Sequence, residues 1–241
     1  MVMFPRRYNL VGKFIKRTMD KRKENFMSAY HGRDFSRDWL KQNNIDVSQK
    51  DVYCFGIYTG WSCGQVGFDM KSNGMKPNAF WGFDSFEGLP EEVEGMYIHP
   101  DWKKGGFDSR NLSEFSGNNP EDIASKISTA FTERCGYNIE MIKGFYSNSL
   151  TDDLVKEKNM QPACFVDMDV DIYVSCKEAM DWMARNGLIK NTLFYFDDWA
   201  GATRPYNFGE ALAMTEICDK YGYDSIELFD MQGLQKVFLI N

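Results

Sequence analysis

Seven short apolar runs, at 52–58, 79–83, 139–142, 163–166, 193–196, 225–229 and 236–240, constrain the fold of this chain more than any other feature. Each has the length and the β-branched or aromatic content of a strand. Between several of them lie helix patterns with recognisable ends. Asn119-Pro120-Glu121-Asp122 opens a stripe of Ile123, Ile127, Ala130 and Phe131 that Gly136 closes. A second pattern runs from about Ser175 through Ala179, Met180 and Met183 to Gly187, and a third carries Ala211, Leu212, Thr215 and Cys218 and ends at Gly222. Parallel neighbours need crossover connections, so strand, helix, strand in repetition predicts a parallel sheet with helices on both faces. The last two runs are separated by about six residues, including Met231, Gln232 and Gly233. That is too short for a crossover, so the seventh strand is expected to run antiparallel to the sixth.

The rest of the chain adds two segments. Residues 1–50 have mixed, partly helical patterning around Phe35, Trp39 and Leu40 and read as an appended helical segment, a lid in one reading, ahead of a domain over 51–241. Residues 84–120 are Gly-rich and aromatic, too long for an ordinary connection and expected to be a substrate loop. With 43% apolar residues in 241, the chain can bury a full core. Its net charge of −7 is uneven: residues 1–41 hold eleven Lys and Arg against four Asp and Glu, and the remainder holds 17 against 31. An acidic body argues against binding nucleic acid, which needs a basic surface. No apolar run approaches the roughly 18 residues of a membrane span. The stretch after Arg6 and Arg7 is broken by Asn9, Gly12, Lys13 and Lys16, which leaves no signal-peptide core. Cys54, Cys63, Cys135, Cys164, Cys176 and Cys218 are scattered, without metal-binding spacing, and read as reduced thiols of a cytoplasmic protein.

Open parallel sheets collect ligands at the carboxyl ends of their strands. After the first strand comes FGIYTGWSCG, with Gly56, Gly60 and Gly64 around Tyr58, Thr59 and Ser62. This is a loop that lets backbone approach a ligand or simply a tight turn; it is neither a dinucleotide fingerprint nor a P-loop. After the second comes Asp84, followed by Ser85, in WGFDSFEGLP, where a carboxylate can accept from the two hydroxyls of a ribose or cap a loop. After the fourth come Asp167, Asp169 and Asp171, and after the fifth Asp197 and Asp198. Clustered carboxylates repel unless a cation neutralises them, and an all-oxygen set suits Mg²⁺ or Ca²⁺ better than zinc. Asp169, Asp197 and Asp198 are the expected metal ligands, with a loop acid or helix cap the alternative for any one of them.

On GIYTGWS, WGFDSFEGLP, KGFYSNSL at 143–150, DVDIYVSCK and FDDWAG, the stretch from about 50 to 241 resembles the class I S-adenosylmethionine-dependent methyltransferases, and within them the macrocin O-methyltransferase (TylF/MycF-like) group. The resemblance implies a Rossmann-like α/β fold with a seven-stranded, mostly parallel sheet and an antiparallel last strand. It implies a cofactor loop of Gly56, Tyr58, Gly60 and Ser62, with Asp84 and Ser85 on the ribose side, and Mg²⁺ on Asp169, Asp197 and Asp198. Cys54 departs from the acidic residue that often precedes the glycine loop, and Asp167 is extra. The implied activity is methyl transfer from S-adenosylmethionine to a hydroxyl of a sugar-like small molecule, with Asp169, Asp171 or His99 as base. His31 is the weaker histidine candidate. Tyr97, Trp102 and Phe107 of the long loop could stack on the acceptor, cover the sheet edge or form a homodimer contact, and Trp199 is placed to wall the acceptor. A metal-dependent glycosyltransferase using a D-x-D motif and a non-catalytic cofactor-binding module are the competing readings.

Overall fold

The computed structural model describes residues 30–96, 99, 102–199 and 207–241. One seven-stranded sheet runs in the order β3-β2-β1-β4-β5-β7-β6. Its strands are β1 (Asp51–Phe55), β2 (Phe80–Asp84), β3 (Ile139–Lys143), β4 (Ala163–Met168), β5 (Thr192–Phe196), β6 (Ser225–Met231) and β7 (Gln235–Ile240). β1 to β5 pair in parallel, and β7 inserts antiparallel between β5 and β6. The short β6–β7 connection thus has the consequence expected of it. β1, β4 and β5 are buried along their whole length, because helices cover both faces of the sheet.

The helix signals in the sequence act through their caps. α3 (Pro120–Cys135) opens on Asn119, whose side chain accepts from the Asp122 N–H, and closes on Gly136 in the left-handed region. α2 (Trp61–Ser72) follows the glycine loop, α4 (Tyr146–Ser149) and α5 (Asp152–Glu157) follow β3, α6 (Tyr173–Arg185) follows β4, and α7 (Gly209–Tyr221) ends on Gly222. Helix α1 (Gly32–Gln42) lies against the sheet at β5, β6 and β7. Phe35, Trp39 and Leu40 are buried there, and the Phe35 ring stacks on Phe229 with centroids 5.2 Å apart. Residues 1–29, which carry most of the basic charge of the N-terminal segment, lie outside the described residues.

The long loop after β2 is pinned at three points. Leu89 exchanges backbone hydrogen bonds with Gly105 and Gly106. Buried Glu92 accepts from the Tyr173 and Val174 N–H groups, capping α6 from outside. Ser109 donates to the Tyr58 carbonyl at 3.0 Å, tying the loop to the glycine turn. No helix among the described residues is long and apolar enough to cross a membrane. All six cysteines are buried and unpaired with one another.

Candidate active site

The carboxyl ends of β1, β2, β3 and β4 open into a cavity of about 230 Å³. Gly56 and Tyr58 line it from the glycine loop, Ser62 from the first turn of α2, Asp84 and Ser85 from the end of β2, Tyr146 from α4, and Asp169 and Asp171 from the turn after β4. Gly60 is not in the wall. The two glycines are required for packing. A Cβ on Gly56 (φ +79°) would overlap the Asp169 carbonyl oxygen and lie 2.7 Å from its carbon, and one on Gly60 would lie 2.5 Å from Ile127 Cγ2 of α3. Gly56 therefore lets the β1 turn and the β4 turn touch, which brings the two halves of the site together.

Asp84 organises this region. Its Oδ2 accepts from the Tyr58 N–H at 2.8 Å and its Oδ1 from the Phe86 N–H at 2.6 Å. Burial pushes its carboxyl above the usual range, and those N–H groups work against the shift by favouring the charged form. Ser85 Oγ accepts from the Glu87 N–H and donates to the Gly88 carbonyl, so its hydroxyl closes a turn at the edge of the cavity. The Tyr146 hydroxyl accepts from the Gly56 N–H at 3.0 Å and donates to the Phe83 carbonyl at 3.2 Å, holding the end of β1 against that of β2.

Beside the cavity stand the acids of β4 and β5. Asp169, Asp197 and Asp198 each bring one carboxylate oxygen within 4.8 Å of the others. Burial and then Asp197 push the Asp169 carboxyl well up, against the pull of Arg33. Burial, and then the neighbouring Asp169, push the Asp171 carboxyl up to about 7, and burial, and then Asp171, push that of Asp198 up to about 8. Asp171 also sits at φ +63°, an unusual place for an aspartate, and faces the cavity. Asp167 is different in kind: it is 1% exposed and accepts from Arg33 Nε with both oxygens at 3.0 Å. The extra acid of the motif thus anchors a side chain rather than facing the cluster. In the β1–β4 register it lies opposite Cys54, whose thiol is raised first by burial and then by Asp167.

Three contributors escaped sequence reasoning. Arg33 reaches Asp167, Asp169 and Asp197 from α1. Glu210, fully buried in the first turn of α7, accepts from the Asp198 N–H at 3.2 Å and the Val170 N–H at 3.5 Å, bracing both acidic turns. Tyr146 lay inside a quoted motif without a role. Other candidates stand away from the chemistry. His99 is exposed, with its ring 5.8 Å from that of Trp102, and is not in the cavity wall. His31 precedes α1 with Nδ1 3.3 Å from Gln235 Oε1. Trp199, placed by its sequence position at the acceptor wall, is 3% exposed and packs on Phe196 and Phe238 in the core. Phe107 lines the cavity edge-on to Tyr58, and Tyr97 lies outside the described residues.

A seven-stranded sheet with this order, an inserted antiparallel β7 and a cavity over the β1 and β2 carboxyl ends define the Rossmann-like class I methyltransferase fold. Solved structures share it. The calicheamicin methyltransferase CalS11 superposes with a TM-score of 0.63 at 14% identity, over 99% of this chain and 94% of that one. The O-methyltransferase NovP superposes with a TM-score of 0.57 at 16% identity, over 86% and 79%. A ligand-free structure of CalS11, described as a TDP-rhamnose 3'-O-methyltransferase, gives 0.52 at 14% identity, over 99% and 96%. No protein-family model and no curated protein sequence matches the chain.

Proposed function

We propose that this protein is an S-adenosylmethionine-dependent O-methyltransferase of the macrocin O-methyltransferase type, acting with Mg²⁺ on a hydroxyl of a sugar or glycosylated small molecule. One observation carries the reading: Asp169 and Asp171 line the same cavity as Gly56, Tyr58 and Asp84, so a donor held by the glycine turn faces the acids. The sugar-directed part takes support from the fold shared with CalS11.

The donor set fits a hard divalent cation, whose oxygen ligands at about 2.0–2.6 Å can bridge carboxylates so spaced. Asp169, Asp197 and Asp198 would hold it. The donor supplies a methyl group already activated on a sulfonium, and the metal supplies Lewis acidity that lowers the pKa of an acceptor hydroxyl. The chain's own residues do the rest. Gly56, Tyr58 and Ser62 shape the pocket, and Asp84, fixed by two backbone N–H groups, presents the remaining lone pairs of its carboxylate to a ribose. Asp171 takes the acceptor proton on its carboxylate; its raised affinity for a proton suits that task near neutral pH. The long loop limits water at the mouth through Leu89, Pro90 and Phe107.

Incubation with labelled S-adenosylmethionine and a panel of glycosides, with EDTA and then with Mg²⁺ restored, tests the reading. Methylated product that disappears with EDTA and returns with Mg²⁺ is expected. Thermal stabilisation by nucleotide sugars but not by S-adenosylmethionine or S-adenosylhomocysteine would instead support the glycosyltransferase alternative.

A further inference from the structure

The acids at the ends of β4 and β5 already have one cation among them, and it comes from an element far away in sequence. Arg33 is the second residue of α1, and all three nitrogens of its guanidinium donate to carboxylates. Nε donates to both oxygens of Asp167 at 3.0 Å, Nη2 to Asp169 Oδ2 at 2.8 Å, and Nη1 to Asp197 Oδ1 at 3.4 Å. The plane of the group lies over the Tyr195 ring, 4.5 Å from its centroid, and the Tyr195 hydroxyl donates to the same Asp197 oxygen. Gln235 Nε2 donates to that oxygen as well, at 2.8 Å. Burial works against the charge of Arg33, but Asp167, Tyr195 and Asp169 outweigh it.

Two consequences follow from this geometry. Arg33 offsets Asp167, a buried acid with no part in the cluster, so the charge of Asp169, Asp197 and Asp198 is left for another cation. It also occupies one oxygen of Asp169 and one of Asp197, which fixes both carboxylates and leaves the second oxygen of each without a donor among the described residues. A lysine in the same place could neutralise Asp167 but could not hold three carboxylates, because only the planar fork spreads its donors that way.

We propose that Arg33 is a positioning residue of the cation site: it orients Asp169 and Asp197 for a divalent ion, so that docking of α1 and assembly of the site are one event. The inference rests on the metal reading above.

The test uses full-length protein and two variants. Arg33→Met together with Asp167→Asn removes one positive and one negative charge, so the net charge is conserved and no carboxylate is left unpaired at 167, while Asp169 and Asp197 lose the donors that hold them. Arg33→Lys keeps the charge and removes the fork. Mn²⁺ affinity, S-adenosylhomocysteine affinity and melting temperature are measured for each. Loss of a group that orients metal ligands lowers metal affinity about 10–100-fold. That loss of Mn²⁺ binding is expected in both variants, with S-adenosylhomocysteine affinity retained. Wild-type Mn²⁺ affinity in either folded variant would overturn the role of Arg33 alone. Parallel loss of both ligands would overturn it as well, since a positioning role is selective. A wild-type protein that binds S-adenosylhomocysteine but no Mn²⁺ would overturn the metal reading and this inference with it. Should the double variant fail to fold, Arg33→Lys decides.

Discussion

Replacing Gly56 with alanine tests the point on which the site is assembled. At φ +79° the backbone is in the left-handed region, where an L-residue costs about 1–2 kcal/mol relative to glycine. The added methyl also meets the Asp169 carbonyl, and forcing extra carbon into a packed place costs about 1–3 kcal/mol. Gly74 supplies the control. It has nearly the same φ, +70°, but nothing within 4 Å of where its Cβ would be. The left-handed strain and the lowered freedom of the unfolded chain are common to both substitutions. The difference between them is therefore the collision with Asp169, about 1–3 kcal/mol. For a chain of this size that corresponds to a melting temperature about 2–12 °C lower for G56A than for G74A. Because relief of the collision moves the Asp169 backbone, G56A is also expected to weaken S-adenosylhomocysteine binding by calorimetry, while G74A leaves it unchanged. Equal melting temperatures and equal affinities in the two variants would refute the contact between the β1 and β4 turns.

Three further outcomes are expected. Asp198→Asn replaces a charged carboxylate ligand with a neutral amide; since loss of even a supporting group costs about tenfold or more, at least about tenfold more Mg²⁺ should be needed for half-maximal rate, and an unchanged Mg²⁺ titration would take Asp198 out of the site. Phe35→Ala, at a position 2% exposed and stacked on Phe229, should cost about 3–5 kcal/mol in urea unfolding if α1 belongs to the core; a loss below about 1 kcal/mol would make the helix a peripheral attachment. Burial pushes the thiols of Cys63 and Cys164 up to about 12 and those of Cys54 and Cys176 well up, so the thiolate is scarce at pH 8. Those four should escape a thiol reagent in the native protein, and all six should react after denaturation; rapid labelling of Cys54 or Cys164 in folded protein would contradict the packing.

Residues 51–241 carried most of the architecture in their own order. Strand runs such as 163–166 and caps such as Asn119 and Gly136 act over a few residues, so their signals survive in one dimension. The six-residue gap before the last run forced β7 to turn back, since chain length alone excludes a crossover. The glycine turn, Asp84 and the paired acidic turns were legible for a related reason: sheet topology puts the residue after each parallel strand at one edge. What tertiary structure alone decided is how those residues are held. Asp167 resembles Asp169 in sequence, but Asp167 lies inside β4, where Arg33 holds both of its oxygens, and Asp169 lies in the turn beyond the strand end, at the cavity. Trp199 follows Asp198 directly yet turns into the core, because the Trp199 N–H bonds the Leu234 carbonyl and the ring packs on Phe238. Arg33 and Glu210 carry no motif at all. Glu210 acts across 12 and 40 positions of chain and Arg33 across 134 to 164, and a contact of that kind exists only once helices α1 and α7 have docked on the sheet and excluded the water that would otherwise solvate the acids.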